Sequence, residues 1–145
     1  MPHRTFDIRE EDDEAISSEL AARLRKFNER LAGPLNTKPV LLTIRDDTGN
    51  LVAGLFGEFF WNSLWVDVLW VDERVRGQRF GSSLLKRAEV AAEARGCHTV
   101  CLSTFSFQAP EFYLKHGYKL IGELPGLPKG ASRKWFAKQL SQNAV

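Results

Sequence analysis

The chain has 145 residues, of which 43% are hydrophobic and 26% charged, and its 20 basic side chains nearly balance its 18 acidic ones. This composition is typical of a soluble globular protein, so we expect one domain over residues 1–145, located in the cytoplasm. A net charge of +2 argues against a nucleic-acid or membrane partner. No apolar run approaches the roughly 20 residues of a transmembrane helix, and the first ten residues are too polar for a signal peptide.

The cysteines and histidines form no recognisable disulfide or metal pattern. Cys97 and Cys101 lie four residues apart in a predicted strand, which separates them by about 13 Å, too far for a disulfide bond. His3, His98 and His116 could join them as ligands, but no pair has the spacing of a zinc site. We therefore expect two reduced thiols and no bound metal.

The amino-terminal part predicts a strand followed by a helix. Residues 5–9 alternate in polarity like a short strand, and an acidic run over 10–14 suits the start of a helix. Apolar residues then recur at helical spacing until Gly33 and Pro34, which end the helix. These apolar residues are Ile16, Leu20, Leu24, Phe27 and Leu31.

The middle of the chain predicts a meander of three strands and then a second helix. Residues 40–45 and 51–61 are rich in branched and aromatic side chains, and the polar turn between them is typical of a hairpin. Residues 64–71 add a third strand. Beyond a charged loop, apolar residues repeat at helical spacing from Gly81 to Gly96, which suits the position just after a helix.

The last third predicts a strand over 98–104, a short helix over 111–116 that Pro110 opens, and two strands over 118–124 and 133–140. The whole order is typical of an α+β fold, with a mixed, mostly antiparallel sheet of about six to seven strands flanked by helices. Element order alone names no function.

The most informative segment, residues 69–85, runs from a buried strand through a charged, glycine-containing loop into a helix. Unpaired amides at a helix start favour phosphate, and Arg76 and Arg79 add positive charge. The segment lacks the Gly-Lys-Ser/Thr ending of a P-loop and the three glycines of a dinucleotide-binding loop. It indicates an anion-binding loop, or alternatively an ordinary turn with solvated arginines.

Two sequence blocks resemble the GNAT superfamily of acetyl-CoA-dependent N-acetyltransferases. The family signature Arg/Gln-x-x-Gly-x-Gly/Ala is similar to Arg76-Gly77-Gln78-Arg79-Phe80-Gly81. A second family block is similar to the segment Phe107-Gln108-Ala109-Pro110-Glu111-Phe112-Tyr113-Leu114-Lys115-His116-Gly117-Tyr118. The blocks occur in the family's order, and the resemblance extends more loosely to the amino-terminal strand and helix. It implies the GNAT fold, a small single-domain enzyme and acetyl-CoA as cofactor.

The resemblance also implies where acetyl-CoA binds. Its pyrophosphate would lie on the amides of residues 76–82 and its pantetheine arm beside residues 69–71, where the strand parts from the strand over 98–104. The implied cofactor-binding residues are Leu69, Trp70, Val71, Arg76, Gly77, Gln78, Arg79, Phe80, Gly81, Ser82, Ser106, Ala109, Phe112 and Tyr113.

Two of these residues depart from the family pattern. Arg79 stands where the family has its middle glycine, and a positive φ there would cost an arginine roughly 1 kcal/mol or more. Ser106 stands where many members carry an asparagine that contacts pantetheine, and a serine can make only a shorter hydrogen bond.

The resemblance assigns the acid of the reaction to Tyr113, which would protonate the departing thiolate, and oxyanion stabilisation to the backbone amide of Val71, with help from Leu69. Asp67, within an apolar strand, is the candidate base, and Glu58 is the alternative. In the simpler interpretation Tyr113 is a core side chain, and Asp67 faces solvent or pairs with an arginine.

The acceptor site would draw on the first helix, the region 59–61 and the last loop, and four aromatic residues are candidates for its lining: Phe59, Trp61, Trp65 and Phe105. We expect transfer to a primary amine of a small molecule by direct attack in a ternary complex, in a protein that pairs as a homodimer. The alternatives are a protein lysine or N-terminal acetyltransferase, and a non-catalytic acyl-CoA-binding sensor.

Overall fold

The computed structural model describes residues 2 and 4–141, and the chain forms two compact units, Met1–Leu35 and Asn36–Val145. His3, considered above as a metal ligand, lies outside the described residues. Within the described part, no helix is long and apolar enough to cross a membrane. The same residues contain no group of three or more His, Cys, Asp or Glu side chains that could hold a metal ion.

The described residues of the first unit form one helix, α1, over Glu14–Ala32. The Asp13 side chain accepts hydrogen bonds from the amides of Ala15 and Ile16, which fixes the start of the helix. Gly33 follows the last turn at a φ of +87°, a conformation that glycine adopts without strain. The predicted helix is therefore confirmed, together with the residue that ends it.

The strand predicted over residues 5–9 is wrong, since this segment has no regular structure. Only Phe6 and Ile8 are apolar there, and the residues around them are charged or polar. Two apolar side chains bury too little surface to offset the conformational entropy lost in ordering a strand.

The described residues of the second unit form six strands and two α-helices, within two residues of the predicted limits. The elements are β1 (Lys38–Arg45), β2 (Leu51–Phe60), β3 (Ser63–Val71), α2 (Phe80–Ala94), β4 (Thr99–Phe105), α3 (Pro110–Lys115), β5 (Lys119–Pro125) and β6 (Ser132–Gln139). The strand order is β1-β2-β3-β4-β6-β5. All neighbours are antiparallel except β3 and β4, which are parallel. The predicted α+β class is confirmed.

Helices α2 and α3 cover the same face of the sheet. The buried side chains of α2 pack with the sheet residues of a single core, and α3 brings Tyr113 within 6.0 Å of the ring of Phe136 on β6. Phe136 is buried and pairs with Leu102 on β4. Because side chains alternate along a strand, Ser103 next to Leu102 belongs to the opposite face.

The two central strands pair over only half of their length. Ser63 to Val66 on β3 pair with Thr99 to Leu102 on β4, and pairing ends there. Both strands continue: β3 keeps its partner β2, and β4 keeps its partner β6. The opening between residues 67–71 of β3 and residues 103–105 of β4 is called the fork below.

A β-bulge lies where the fork begins. Phe56 on β2 pairs with Val68 and the next residue, Gly57, pairs with Val66, so Asp67 is an extra residue on β3. A Cβ atom on Gly57 would overlap the carbonyl oxygen of Trp65. Only glycine therefore lets β2 approach the bulged strand this closely, and the bulge turns β3 away from β4.

Replacing Gly57 with alanine is expected to destabilise the protein by about 2 kcal/mol or more, because the new methyl group must displace the backbone of β3. Gly122→Ala is the matched control, since a Cβ atom there meets nothing within 4 Å, and we expect a change within about 0.5 kcal/mol. Urea unfolding of both variants measures the difference. Equal stabilities would contradict the close approach at Gly57.

Candidate active site

The loop after β3 begins with an ordered acidic turn. Asp72 accepts hydrogen bonds from the backbone amide of Arg74 at 2.9 Å and from its guanidinium at 2.7 and 3.1 Å. These bonds, chiefly the one from the Arg74 side chain, hold the pKa of Asp72 at about 2. A short 3₁₀ turn over Glu73–Val75 follows. Arg76 then folds back, and its Nε donates to the carbonyl oxygen of Val71 at 3.3 Å.

The start of α2 is a free set of amide donors. Arg79 precedes the helix in the left-handed conformation, with φ +63° and ψ +25°, and no side chain caps the helix. This backbone costs an arginine about 1 kcal/mol or more. The first amides inside the helix, from Phe80 to Ser82, have no intrahelical acceptor. They can donate to an anion, which the helix dipole and the nearby arginines also favour.

A shallow cleft of about 610 Å³ continues from this helix start along the exposed side of α2. Its lining residues are Arg79, Ser82, Ser83, Lys86, Arg87 and Val90. The sequence analysis missed Ser83, Lys86 and Arg87. Ser83 follows Arg79 by four residues, and Lys86 and Arg87 follow Ser83 by three and four, so all lie on one side of the helix, and this pattern could have identified a basic surface.

Gly81 lets α3 pack closely against the start of α2. A Cβ atom on Gly81 would lie 3.4 Å from the ring of Phe112 and 3.7 Å from a methyl group of Val71. Ser82 forms a hydrogen bond of 3.0 Å with Nε2 of His116, at the end of α3. The structure thus brings together three of the predicted cofactor-binding residues, Val71, Gly81 and Phe112, which are far apart in the sequence.

Tyr113 lies among aromatic rings on the face that α2 and α3 cover. Its ring is 5.1 Å from Phe112 and 6.0 Å from both Tyr118 and Phe136. Burial raises the pKa of its phenol above the usual value near 10. Its hydroxyl oxygen is not among the buried polar atoms that lack a partner. Tyr113 is therefore a phenol that stays protonated at neutral pH.

Two backbone amides of β3 point into the fork. The amide of Asp72 donates to Val52 on β2 at 2.9 Å, and amide direction alternates along an antiparallel pair. Hence the amides of Val71 and Leu69 point away from β2, toward the side where β4 has separated. In the part of the chain that the structure describes, the pairing of β3 with β4 ends at Val66, so β4 accepts from neither amide. These are the two amides that the sequence analysis associated with an oxyanion.

Asp67 and Glu58 are the carboxylates nearest the fork along β3 and β2. Asp67 is the exposed extra residue of the bulge, and Glu58 is exposed and pairs with Trp65. Within the described residues, neither carboxylate forms an ion pair. The alternative in which Asp67 pairs with an arginine is therefore wrong, whereas its exposure to solvent or to a ligand is compatible with the structure.

The hydroxyl of Ser106 already has a structural partner. It accepts from the amide of Ser132 at 3.0 Å, and the amide of Ser106 donates back to the carbonyl of Ser132 at 2.8 Å. These bonds join the end of β4 to the start of β6. Ala109 is exposed and precedes α3. Ser106 can still donate its own proton, but its position is set by β6.

The aromatic candidates for the acceptor site separate into two groups. Phe59 is only 3% exposed and belongs to the core, with the guanidinium of Arg95 over its ring, so its predicted place in an acceptor site is wrong. Trp65 and Phe105 lie in partly exposed positions. Trp61 is 38% exposed. The prediction for Phe59 is wrong because its side chain faces α2, whereas the side chains of Trp65 and Phe105 lie on the other face of the sheet.

A buried polar network was missed by the sequence analysis. Glu89 on α2 accepts from the hydroxyl of Tyr118 at 2.8 Å and from the ammonium of Lys138 at 3.0 Å. Glu89 and Tyr118 are 5% and 2% exposed. Burial and the neighbouring carboxylate raise the pKa of Tyr118. The signal was present, since Glu89 follows Leu85 by four residues on the apolar side of α2.

Comparison with known proteins gives consistent results. A family model described as an acetyltransferase (GNAT) domain matches residues 39–120. The chain is 42% identical over 95 residues to a blasticidin-S acetyltransferase of Streptomyces morookaense, covering 65% of this chain and 70% of that protein. It is 35% identical over 130 residues to an acetyltransferase of Agrobacterium fabrum, covering 89% and 91% of the two chains.

Solved structures extend the similarity over almost the whole chain. A crystal structure of an acetyltransferase from Bacillus cereus superimposes with a TM-score of 0.87 at 34% identity, covering 92% of this chain and 98% of that one. A streptothricin acetyltransferase of Bacillus anthracis, determined in complex with acetyl coenzyme A, has the same fold at 18% identity, with a TM-score of 0.63 and coverage of 79% and 68%.

The hydrogen bonds that Asp72 accepts make the stability of the folded protein depend on pH. Because the folded-state pKa of Asp72 is about 2, below its unfolded value of about 3.9, its stabilising effect is complete above pH 4 and is lost as the pH falls through 2. Asp72→Asn should therefore lower the melting temperature at pH 7, with a difference that shrinks below pH 4. A difference that is the same at pH 7 and pH 2 would contradict this role.

Proposed function

Because the chain belongs to the GNAT acetyltransferase family, we propose that it transfers the acetyl group of acetyl-CoA to a primary amine of a small molecule, by direct attack in a ternary complex. One observation carries the proposal. The start of α2 lies against Val71 at the fork, the amides of Val71 and Leu69 point away from β2, and Tyr113 lies on the same face of the sheet as α2. We propose further that residues 1–145 act as one domain, since the relatives above match across both units.

The start of α2 has the chemistry to hold the pyrophosphate of acetyl-CoA. The amides over residues 76–82 would donate to its oxygens, and Arg76 and Arg79 would add charge. Lys86 and Arg87, which line the adjoining cleft, suit a further phosphate. Leu69, Trp70 and Val71 would lie beside the pantetheine arm. Bound there, acetyl-CoA supplies an activated thioester.

The amides of Val71 and Leu69 suit the charge that develops on the acetyl oxygen. Negative charge grows on that oxygen as the amine attacks, and fixed N–H donors stabilise it without reorganisation. Both amides point away from β2, so β3 presents them as a rigid pair. We propose that they act as the oxyanion-binding group.

Burial raises the pKa of the Tyr113 phenol, so this group holds its proton at neutral pH, and we assign it the role of acid. It would donate this proton to the departing thiolate. Asp67 would receive a proton from the attacking amine, directly or through water, and Glu58 is the alternative base. Both are exposed carboxylates beside the fork.

The two cysteines support direct attack rather than an acyl-enzyme. Burial raises the pKa of both thiols, so neither Cys97 nor Cys101 is a ready nucleophile at neutral pH. Neither forms a disulfide in the described chain.

The direct test of the proposal is acetyl transfer to a panel of amines, with blasticidin S, spermidine and spermine included because relatives are named for them. Mass spectrometry would detect the gain of one acetyl group. Acetylation of a panel member supports the proposal. Tight binding of acetyl-CoA without transfer to any amine or to added protein would favour the non-catalytic sensor instead.

Replacing Arg76 with glutamate should weaken the binding of coenzyme A by about 10- to 100-fold, because a charge-assisted bond to phosphate is lost and repulsion replaces it. Titration calorimetry measures the change. Arg45→Glu is the control, since it makes the same charge change at the exposed last residue of β1. A folded Arg76→Glu protein with unchanged affinity would refute the proposed phosphate site.

Replacing Tyr113 with phenylalanine should lower kcat by about 100-fold or more while the affinity for acetyl-CoA changes little, because only proton donation is lost. Any fall of wild-type kcat through loss of this proton should occur above pH 10, in line with the raised pKa. Tyr118→Phe is the control: it removes the bond to Glu89 and should lower stability rather than kcat. Equal kcat in Tyr113→Phe and wild type would remove Tyr113 from the acid role.

A further inference from the structure

An arginine lies at the fork on the sheet face opposite Tyr113. Arg133 on β6 is directly opposite Phe105 on β4, and Trp135 is opposite Ser103. Since Leu102 belongs to the face under α2 and α3, these four side chains belong to the other face. Ser103 is also the first residue of β4 beyond its pairing with β3. The Arg133 site, defined as Arg133, Ser103, Phe105 and Trp135, therefore borders the fork.

Arg133 is held in place without its charge being neutralised. Its Nε and Nη2 donate to the hydroxyl oxygen of Ser103 at 3.1 and 2.8 Å, and its guanidinium lies 4.9 Å from the Trp135 ring and 5.7 Å from the Phe105 ring. Among the described residues, no carboxylate lies within 4.0 Å of it. A guanidinium has five N–H donors, so three remain after the bonds to Ser103.

This environment suits a carboxylate ligand. Arg133 is only partly exposed, and a charge between two aromatic rings is less screened by water than one on an open surface. A fixed, planar set of free N–H donors matches the two oxygens of a carboxylate. The hydroxyl of Ser103 sets the direction of the guanidinium, and Trp135 and Phe105 offer apolar walls to the carbon chain that carries the carboxylate.

We propose that Arg133 binds a carboxylate of the acceptor, so that the acceptor class is an amine that also carries a carboxylate. This inference rests on the proposed function. Asp67, on the β3 side of the fork, supplies the opposite charge for the amine. Asp67 is on β3 and Arg133 on β6, with β4 between them, and adjacent strands are about 4.8 Å apart even where they pair. The geometry therefore favours an amine and a carboxylate several bonds apart over two groups on one carbon.

The test compares amines that differ only in the carboxylate. L-Lysine is paired with cadaverine, and L-ornithine with putrescine. In the wild-type protein, kcat/KM should be about 10- to 100-fold higher for the member with the carboxylate. In Arg133→Gln this ratio should fall toward one. A wild-type ratio near one, or a ratio that persists in Arg133→Gln, overturns the proposal.

Two further variants separate recognition from folding. Arg133→Lys keeps the charge but loses the planar donors, so the ratio should be intermediate. Ser103→Ala leaves the guanidinium intact but frees its orientation, and the ratio should fall less than in Arg133→Gln. If all three variants lose activity toward both members of each pair equally, the site is structural and the proposal is wrong.

Nuclear magnetic resonance tests the site independently of acetyl transfer. The Nε–H resonance of Arg133, assigned by its absence from Arg133→Lys, should shift when L-lysine is added to protein saturated with coenzyme A, and should not shift with cadaverine. This shift without any acetylation would uphold the Arg133 site and count against the proposed transferase. Acetylation without the shift would uphold the transferase and overturn the Arg133 site.

Discussion

The close approach of β2 to β3 at Gly57 is the constraint on which the site depends. Glycine has no side chain, so the backbone at Gly57 can lie directly against the carbonyl of Trp65. This close approach allows β3 to hold one extra residue, Asp67, at this point. The bulge turns β3 from β4, and the backbone amides that β4 would otherwise engage are left free. The absence of a side chain at Gly57 therefore permits the opening in which we propose that acetyl-CoA and the amine meet.

The two faces of the sheet at the fork differ in chemistry. On one face, α2 supplies free helix amides and α3 supplies the protonated phenol of Tyr113. The other face carries the carboxylate of Asp67 and the guanidinium of Arg133, which has no carboxylate partner among the described residues. The aromatic rings of Trp135 and Phe105 lie beside this guanidinium. The buried network around Glu89 ties α2 to Tyr118 and β6, which keeps the first face rigid. Arg79 accepts backbone strain at the helix start where a glycine would have none.

Local signals in the sequence predicted most elements, because their ends depend on single residues such as Asp13 and Gly33. The fork itself could not be derived from periodicity, since a bulge depends on the pairing register of two strands. The strand predicted over residues 5–9 was wrong because alternation of polar and apolar residues supplies neither a neighbouring strand to pair with nor enough apolar surface to bury. Glu89 was overlooked because an acidic residue on a helix is usually solvated, although its spacing from Leu85 marked it as buried. The family resemblance supplied the roles that geometry alone leaves open.

The central claim is that the amides of Leu69 and Val71 donate hydrogen bonds to the acetyl carbonyl in the fork. Isotope-edited infrared spectroscopy of acetyl-CoA labelled with carbon-13 at this carbonyl measures the interaction directly. The account predicts a carbonyl band at lower frequency in the bound state than in water, because two fixed donors polarise the bond. A band at the solution frequency or above, with acetyl-CoA fully bound, would contradict the claim.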